Sequence, residues 1–173
     1  MTNYLLSIDP SITNTGITLW ENKKPILVTS YSFKKFNNDE WKEFKHAIYR
    51  DHFWETNLII ERGTFNSKNG IGYETQEHLR GFIAGQFNKL LTKNMLISPS
   101  EWQNWYLKYD KYAYGMAFAN GVSNKKENYW DKNNSLIIGN RLIKDNNWNI
   151  KVNNHDEADS LLIGWYYLNK ENK

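Results

Sequence analysis

The sequence contains no cysteine and only three prolines among its 173 residues. Without thiols there is no disulfide framework and no thiolate zinc site, so neither can stabilise the fold. No run approaches the roughly 18 consecutive apolar residues that a membrane-spanning helix needs. The first residues also lack the basic start and small-residue cleavage site of a signal peptide. We therefore expect a cytoplasmic protein that has no membrane partner.

The chain also lacks internal repeats, Pro- or Gly-rich linkers and a large excess of charge. Its length suits one domain, residues 1–173, built around a single sizeable core. The net charge of +3 permits nucleic-acid binding but does not argue for it. Asn and Lys are abundant, which is typical of an A/T-rich coding genome. This composition suggests a bacteriophage or low-GC bacterial source, and hence the host cytoplasm as the place of action.

Strand and helix patterns alternate along most of the chain. Three strand patterns joined by short turns predict an antiparallel meander at the start of the sheet. Later patterns favour an α/β sheet with helices on both faces. The pattern of residues 106–134 predicts no particular helix or strand. The predicted strands are 4–9, 16–20, 26–33, 57–61, 95–98 and 148–152, and the predicted helices are 39–54, 73–91, one starting at 99, 136–144 and 156–168.

Four acidic residues fall at positions where their side chains can meet. Asp9 closes the first strand and Glu61 closes the strand at 57–61. Neighbouring strands lie about 4.8 Å apart, so acids at two strand ends can share one ion. On the last helix Asp156 and Asp159 lie about 60° apart on one face, whereas Glu157 points away from both.

Carboxylate oxygens are the ligands preferred by Mg²⁺, for which Mn²⁺ can substitute. Four clustered acids without a cation would raise each other's pKa, so such a cluster predicts a metal. Two ions about 4 Å apart would activate a water and stabilise the attacking and departing oxygens of a phosphodiester. No small-molecule cofactor is predicted. Simpler roles stay open: Asp9 as a turn former, Glu61 paired with Arg62, and the helical acids as first-turn residues favoured by the helix dipole.

Several segments, taken in chain order, form a longer pattern. They are Ser7-Ile8-Asp9-Pro10-Ser11 with Thr15-Gly16, Ile59-Ile60-Glu61, Ser67-Lys68-Asn69 and Asp156-Glu157-Ala158-Asp159-Ser160-Leu161. This pattern resembles the RuvC family of Holliday junction resolvases over nearly the whole chain. The resemblance implies an RNase H-like fold with a mixed five-stranded sheet, a homodimer, and Mg²⁺-dependent paired nicking of four-way DNA junctions. It also implies that Asp9, Glu61, Asp156 and Asp159 are the catalytic, metal-binding residues, with Asp9 bridging two ions.

Candidate DNA contacts lie in a loop and in Lys-rich segments. Phe65 and Lys68 suit stacking on an opened base step and contact with phosphate, and Asn69 follows them in the family-like motif. A plain surface loop is the alternative. Further lysines would add a phosphate-binding surface if they share a face with the acids, and would otherwise be solvated charges. These lysines are Lys108, Lys111, Lys125, Lys126 and Lys132.

The helix predicted from residue 73 carries small residues that would let another backbone approach. Gly81, Ala84 and Gly85, flanked by Phe82 and Phe87, predict a dimer seam, with packing on the chain's own sheet as the alternative.

Parts of the sequence pattern also bear on three other functions. An actin-like sugar kinase or ATPase would need a longer chain with two such domains. A catalytically silent DNA-binding protein would not need the acidic set. A related nuclease acting on forks, flaps or RNA–DNA hybrids stays open, although ribonuclease H usually carries its Glu on the first helix and Glu61 closes a strand.

Overall fold

The structure is a computed structural model that describes residues 3–34, 36–49, 56–63, 70–124 and 130–172. Its centre is a five-stranded sheet of β1 (Tyr4–Asp9), β2 (Thr15–Glu21), β3 (Lys24–Tyr31), β4 (Asn57–Glu61) and β5 (Leu96–Ile97). The strand order is β3-β2-β1-β4-β5. The first three strands pair antiparallel, while β1–β4 and β4–β5 are parallel. The predicted mixed five-stranded sheet and its opening meander are therefore confirmed.

The turn between β2 and β3 follows from its two residues. Asn22 and Lys23 have φ values of 46° and 68°. Two consecutive positive φ values are the geometry of the tight turn whose twist matches that of a β-hairpin. This turn fixes the register of β2 and β3, and with it the edge of the sheet.

Helices cover both faces of the sheet, as predicted. They are α1 (Asn38–Tyr49), α2 (Gly70–Gln86), α3 (Pro99–Tyr109), α4 (Lys111–Asn124), α5 (Lys132–Asp145) and α6 (His155–Asn169). Alternate residues of β1 point to opposite faces, so Leu5 packs in a core with α3, α5 and α6, whereas Leu6 and Ile8 pack against α1 and α2. Both faces of the central strands are buried, which explains their nearly continuous apolar sequence.

Three observed helix starts lie within one residue of the predicted ones. Helix α3 begins at Pro99, where Ser98 and Glu101 form a reciprocal capping box. Helix α6 begins at His155, with the Asn154 side chain accepting a hydrogen bond from the Glu157 amide. The predicted helix from residue 39 to 54 corresponds to α1 up to residue 49, and residues 50–55 lie outside the described residues.

Two predictions are wrong. The helix predicted over 73–91 ends at Gln86, because Asn88 takes a φ of 50° that breaks the helical backbone, and Leu90 is 86% exposed. The strand predicted over 148–152 does not form. There Asn147 has a φ of 53°, and Trp148 packs edge-on against Trp20 from a loop. No helix of the described residues is long and apolar enough to cross a membrane.

Helix α6 lies unusually close to β1 and β2. Ser7 Oγ donates to the Ser160 carbonyl oxygen (2.7 Å), and the Ser160 hydroxyl lies 2.8 Å from that of Thr18. Two glycines make this approach possible. A Cβ on Gly16 would lie 1.8 Å from the Asp156 carbonyl oxygen, and one on Gly164 would lie 2.2 Å from Trp20 Nε1. The start of α6 is thereby fixed beside the end of β1.

Candidate active site

Four carboxylates from three elements line one cavity of about 430 Å³ at the carboxyl ends of β1 and β4. Asp9 ends β1, Glu61 ends β4, and Asp156 and Asp159 lie on the first turns of α6. The cavity is polar on most of its wall, and Arg80, Trp102 and Lys132 also line it. The structure thus brings together the four acids that the sequence predicts.

Sheet register places Asp9 beside Glu61. Ile8 pairs with Ile60 across parallel β1 and β4, so the next residue of each strand projects from the same end of the sheet. Burial raises the pKa of Asp9 well above its usual range, and the charges of Glu61, Asp159 and Asp156 raise it further. Asp9 also shares a side-chain hydrogen bond with Glu61. Asp9 is therefore the residue on which the fields of the other three converge.

The Glu61 carboxylate is held by a neutral donor. Trp102 Nε1 donates to Glu61 Oε1 at 2.8 Å. Burial raises the pKa of Glu61, while the hydrogen bonds from Trp102 and Asp9 and the charge of Arg80 oppose this rise. Arg80 itself donates to the Glu61 main-chain oxygen (2.7 Å) and to Glu77 (2.8 Å), and is 2% exposed. Its cation therefore holds the backbone of β4 in place.

The two acids of α6 have different partners. Asn14, in the turn after β1, donates from Nδ2 to Asp156 Oδ2 at 2.7 Å. Asp159 accepts a hydrogen bond from Ser135, yet burial raises its pKa to about 7. Its Oδ1 atom is buried and has no hydrogen-bond partner among the described residues. A buried carboxylate oxygen without a partner is costly, so this atom is suited to a cation.

The acid cluster fits a hard divalent cation by the chemistry of its donors. In the part of the chain that the structure describes, no three His, Cys, Asp or Glu side chains already stand at metal-site spacing. Each acid is instead drawn to its own partner, whether Asn14, Ser135 or, for Asp9 and Glu61, each other. The charges of the neighbouring acids nevertheless raise the pKa values of Asp9 and Asp159, which indicates that the cluster is crowded electrostatically. Only oxygen ligands face one another here, and such sets suit Mg²⁺ or Mn²⁺.

Glu157 points away from the Asp156–Asp159 pair, as the helical spacing predicts. Its carboxylate accepts hydrogen bonds from Ser30 Oγ (3.0 Å) and from the Asn153 amide (2.7 Å). Glu157 is 5% exposed, so it is a buried anchor between α6 and the edge strand β3. The sequence pattern gives no sign of this burial.

The predicted DNA contacts do not all lie at the acid cavity. Lys132 lines the acid cavity, but Lys108 and Lys111 are not among its described lining residues. Lys108 lies over the Tyr109 ring, and Lys111 borders a second cavity beside Trp105 and Arg141. The other predicted contacts lie outside the described residues, and these are Phe65, Lys68, Asn69, Lys125 and Lys126.

Sequence reasoning missed three neighbours of the acids. The sequence patterns indicate no role at the site for Asn14, Trp102 or Ser135. Each lies far along the chain from the acid it contacts, or on another helix, so periodicity carries no signal for the contact.

No protein-family model and no curated protein matches this sequence. Solved structures do match. Thermus thermophilus RuvC in complex with a Holliday junction substrate aligns with a TM-score of 0.50 and 10% identity over 95% of both chains. A second Thermus thermophilus RuvC structure aligns with a TM-score of 0.50 and 12% identity, again over 95% of each chain. A fowlpox virus resolvase with Holliday junction DNA gives 0.45 and 18% identity over 98% of this chain and 99% of that one. The two RuvC alignments and the mixed five-stranded sheet show that the chain has the RNase H-like fold of RuvC.

Proposed function

We propose that this protein is a crossover junction endodeoxyribonuclease, which nicks four-way DNA junctions by divalent-metal-dependent phosphodiester hydrolysis. The observation that carries the proposal is the convergence of Asp9, Glu61, Asp156 and Asp159 on one cavity of a RuvC fold. The matched Thermus thermophilus protein was solved with a Holliday junction substrate. Fold alone does not imply function, so the acid cluster is the stronger support.

Asp9, Glu61, Asp156 and Asp159 would hold Mg²⁺, or Mn²⁺ in its place. When bound, such ions supply an activated water and stabilise the charge on the oxygens of the scissile phosphate. Asp9 would be the central member of this set, because the charges of the other three acids all act on its carboxylate. Asn14 fixes one oxygen of Asp156, which leaves the other oxygen for an ion.

Cationic side chains at the cavity are suited to the DNA backbone. Lys132 is exposed at the start of α5 and lines the cavity, so its ammonium can meet a phosphate beside the acids. Arg80 is buried and committed to β4 and Glu77, so it contributes positive potential and not a direct contact. We propose Lys108, Lys111, Lys125, Lys126, Phe65, Lys68 and Asn69 as further DNA contacts.

The proposed activity is tested by comparing matched DNA substrates. A four-way junction, a fork and a linear duplex of shared sequence are incubated with the protein and Mg²⁺. We expect nicks in the junction, and none in any substrate when the ion is chelated. Preferential cutting of the fork or of an RNA–DNA hybrid would assign the protein to a related nuclease. Junction binding without nicking, at any Mg²⁺ or Mn²⁺ concentration, would contradict nuclease activity.

We also propose that the protein acts as a homodimer through α2. Ala84 and Phe87 are buried against the chain's own sheet, but Phe82 is 38% exposed on the outer side. A Cβ on Gly81 or Gly85 would meet no described atom within 4 Å, so another backbone can approach this side closely. A symmetric dimer presents two active sites, which matches paired nicking of a two-fold junction.

Replacing Gly85 with arginine tests the dimer. We expect Gly85→Arg to shift the molecular mass in light scattering from two chains to one, because the long cation fills the open side of α2. Paired nicks in the junction should then become single nicks. The matched control is Gly115→Arg, which also faces open space but lies on α4. A dimer that persists in Gly85→Arg would contradict the proposed seam.

A further inference from the structure

Two tryptophans form one wall of the acid cavity. Trp102 projects from α3, and Trp130 lies just before α5. Their ring centroids are 5.2 Å apart at an interplanar angle of 86°, an edge-to-face contact. Trp102 is 1% exposed, so the position of its ring is set by packing. Both side chains line the cavity that holds the four carboxylates.

Each indole N–H is directed toward one acid. Trp102 Nε1 donates directly to Glu61 Oε1 at 2.8 Å. Trp130 Nε1 donates to Ser135 Oγ at 3.1 Å, and Ser135 in turn hydrogen-bonds to the Asp159 carboxylate. The Ser135 oxygen accepts from Trp130, so its own hydroxyl proton is free to point at Asp159. The tryptophan pair therefore reaches two of the four acids, one directly and one through a serine.

An indole has properties that an orienting group beside a metal needs. It carries one donor and no acceptor, so it can hold a carboxylate without binding the cation itself. It is also neutral, and leaves the negative charge of the acids for the ion to compensate. Arg80, a buried cation that also lines the cavity, donates to the Glu61 main-chain oxygen and to Glu77. The Glu61 carboxylate therefore accepts a hydrogen bond from a neutral donor, Trp102. A cationic donor in that position would compete with the metal.

We propose that Trp102 and Trp130 are positioning residues that fix the carboxylate orientations of Glu61 and Asp159 for a divalent cation. This inference rests on the proposed metal-dependent function. Hydrogen-bond partners behind metal ligands typically change metal affinity or activity by about 10- to 100-fold when removed. Mg²⁺ requires near-ideal octahedral geometry, so a carboxylate that rotates freely is a poorer ligand for it.

The principal test compares Trp102→Phe with Trp105→Phe. Phenylalanine keeps a ring in the wall but has no N–H. Trp105 is a buried tryptophan on the same helix that lines the second cavity and not the acid cavity, so its replacement controls for general loss of packing. We expect Trp102→Phe to raise the Mg²⁺ concentration for half-maximal junction nicking by about 10- to 100-fold. The rate at saturating Mg²⁺ should fall much less, and Trp105→Phe should leave the Mg²⁺ dependence unchanged.

A second readout needs no DNA. The melting temperature is followed as Mg²⁺ or Mn²⁺ is added to the protein alone. A metal that binds only the folded state raises this temperature according to its affinity. We expect Trp102→Phe to need about 10-fold or more metal for the same rise as Trp105→Phe. Equal metal dependence in the two variants would overturn the inference, even if wild-type protein cuts no DNA.

The hydrogen-bond chain from Trp130 through Ser135 to Asp159, here called the Trp130–Ser135 arm, supplies a second test. This test can still be made if Trp102→Phe does not fold. We expect Trp130→Phe and Ser135→Ala each to weaken metal binding. The first removes the N–H that orients the Ser135 hydroxyl, and the second removes the hydroxyl itself. The double variant should bind metal no more weakly than Ser135→Ala alone, since both changes break one chain of hydrogen bonds. Additive losses would show that Trp130 does not act through Ser135 and would refute this arm.

Discussion

Asp9→Asn is expected to reduce Mg²⁺-dependent junction nicking at least about 100-fold, equivalent to roughly 3 kcal/mol of activation barrier. The charges of the other three acids all act on Asp9, so the substitution would remove the charge of the central member of the proposed metal-binding set. Asparagine has nearly the same shape, and the loss therefore reports on charge. Single-turnover nicking of a labelled junction at saturating Mg²⁺ measures the effect. Equal rates in the two proteins would remove Asp9 from the mechanism.

Although Asp9→Asn should reduce nicking, it should increase the thermal stability of the metal-free protein. Asp9 is 9% exposed and shares its cavity with three acids, so in the absence of a cation a charge there opposes folding. Asparagine carries no charge, and we expect the Asp9→Asn protein to melt at a higher temperature than wild type in chelator near pH 8. Added Mg²⁺ should raise the wild-type melting temperature more than that of the variant. A lower melting temperature for the variant in chelator would show that the acids are not crowded.

Gly16→Ala is expected to impair both folding and cleavage. The new Cβ would lie 1.8 Å from the Asp156 carbonyl oxygen and 2.2 Å from its carbonyl carbon. Both are backbone atoms, so β2 or the start of α6 must move. Such overpacking costs about 1–3 kcal/mol of unfolding free energy and sometimes more. Gly16 pairs with Asp9 across β1 and β2, so movement of β2 disturbs Asp9 and movement of α6 displaces Asp156. We therefore expect nicking to fall by at least about 10-fold even at a temperature where the variant is folded.

Two other glycines make the Gly16 measurement specific. Gly115 lies on α4 with no described atom within 4 Å of an added Cβ, so Gly115→Ala should raise helix stability by about 0.5–1 kcal/mol and leave nicking unchanged. In Gly164→Ala the new methyl group would meet Trp20 and Ser7, deep in the core. Gly164→Ala should therefore lower stability. At an equal loss of stability, it should reduce nicking less than Gly16→Ala does. Wild-type stability in Gly16→Ala would contradict the close seating of α6 on the sheet.

Local patterns were sufficient for the elements that carry the acids. Strand β1 begins with an apolar run, helix α6 is rich in apolar residues from Leu161 to Leu168, and turn or capping residues lie at their ends. The predicted bounds of both elements lie within two residues of those observed. Helix α4 was not predicted, because Tyr112, Tyr114 and Phe118 are exposed and its apolar residues do not define a single face. Asn88 and Asn147 have positive φ values, which the hydrophobic pattern does not predict. The first lies just after the end of α2, and the second precedes the segment 148–152, where the predicted strand does not form.

The site itself was only half predictable. That Asp9 and Glu61 meet follows from two strands ending at acids, once those strands are neighbours. The contacts that orient the acids are tertiary: Asn14 and Asp156 are 142 residues apart in sequence, and Trp102 and Glu61 are 41 apart. A tryptophan in a helical pattern is ordinarily core, and nothing local distinguishes one that also donates to a carboxylate. The Gly16 position was visible as part of a motif, but its close contact with Asp156 requires the packed helix.

The most direct test of metal binding by the four acids is anomalous X-ray diffraction from crystals of the protein grown with Mn²⁺. We expect Mn²⁺ peaks in the acid cavity, within coordinating distance of Asp9 and of at least one of Glu61, Asp156 and Asp159. The same experiment on Asp9→Asn should show weakened or missing peaks. Metal binding by the acid cluster would be contradicted if wild-type crystals hold no Mn²⁺ among these carboxylates at a concentration that supports DNA cleavage in solution.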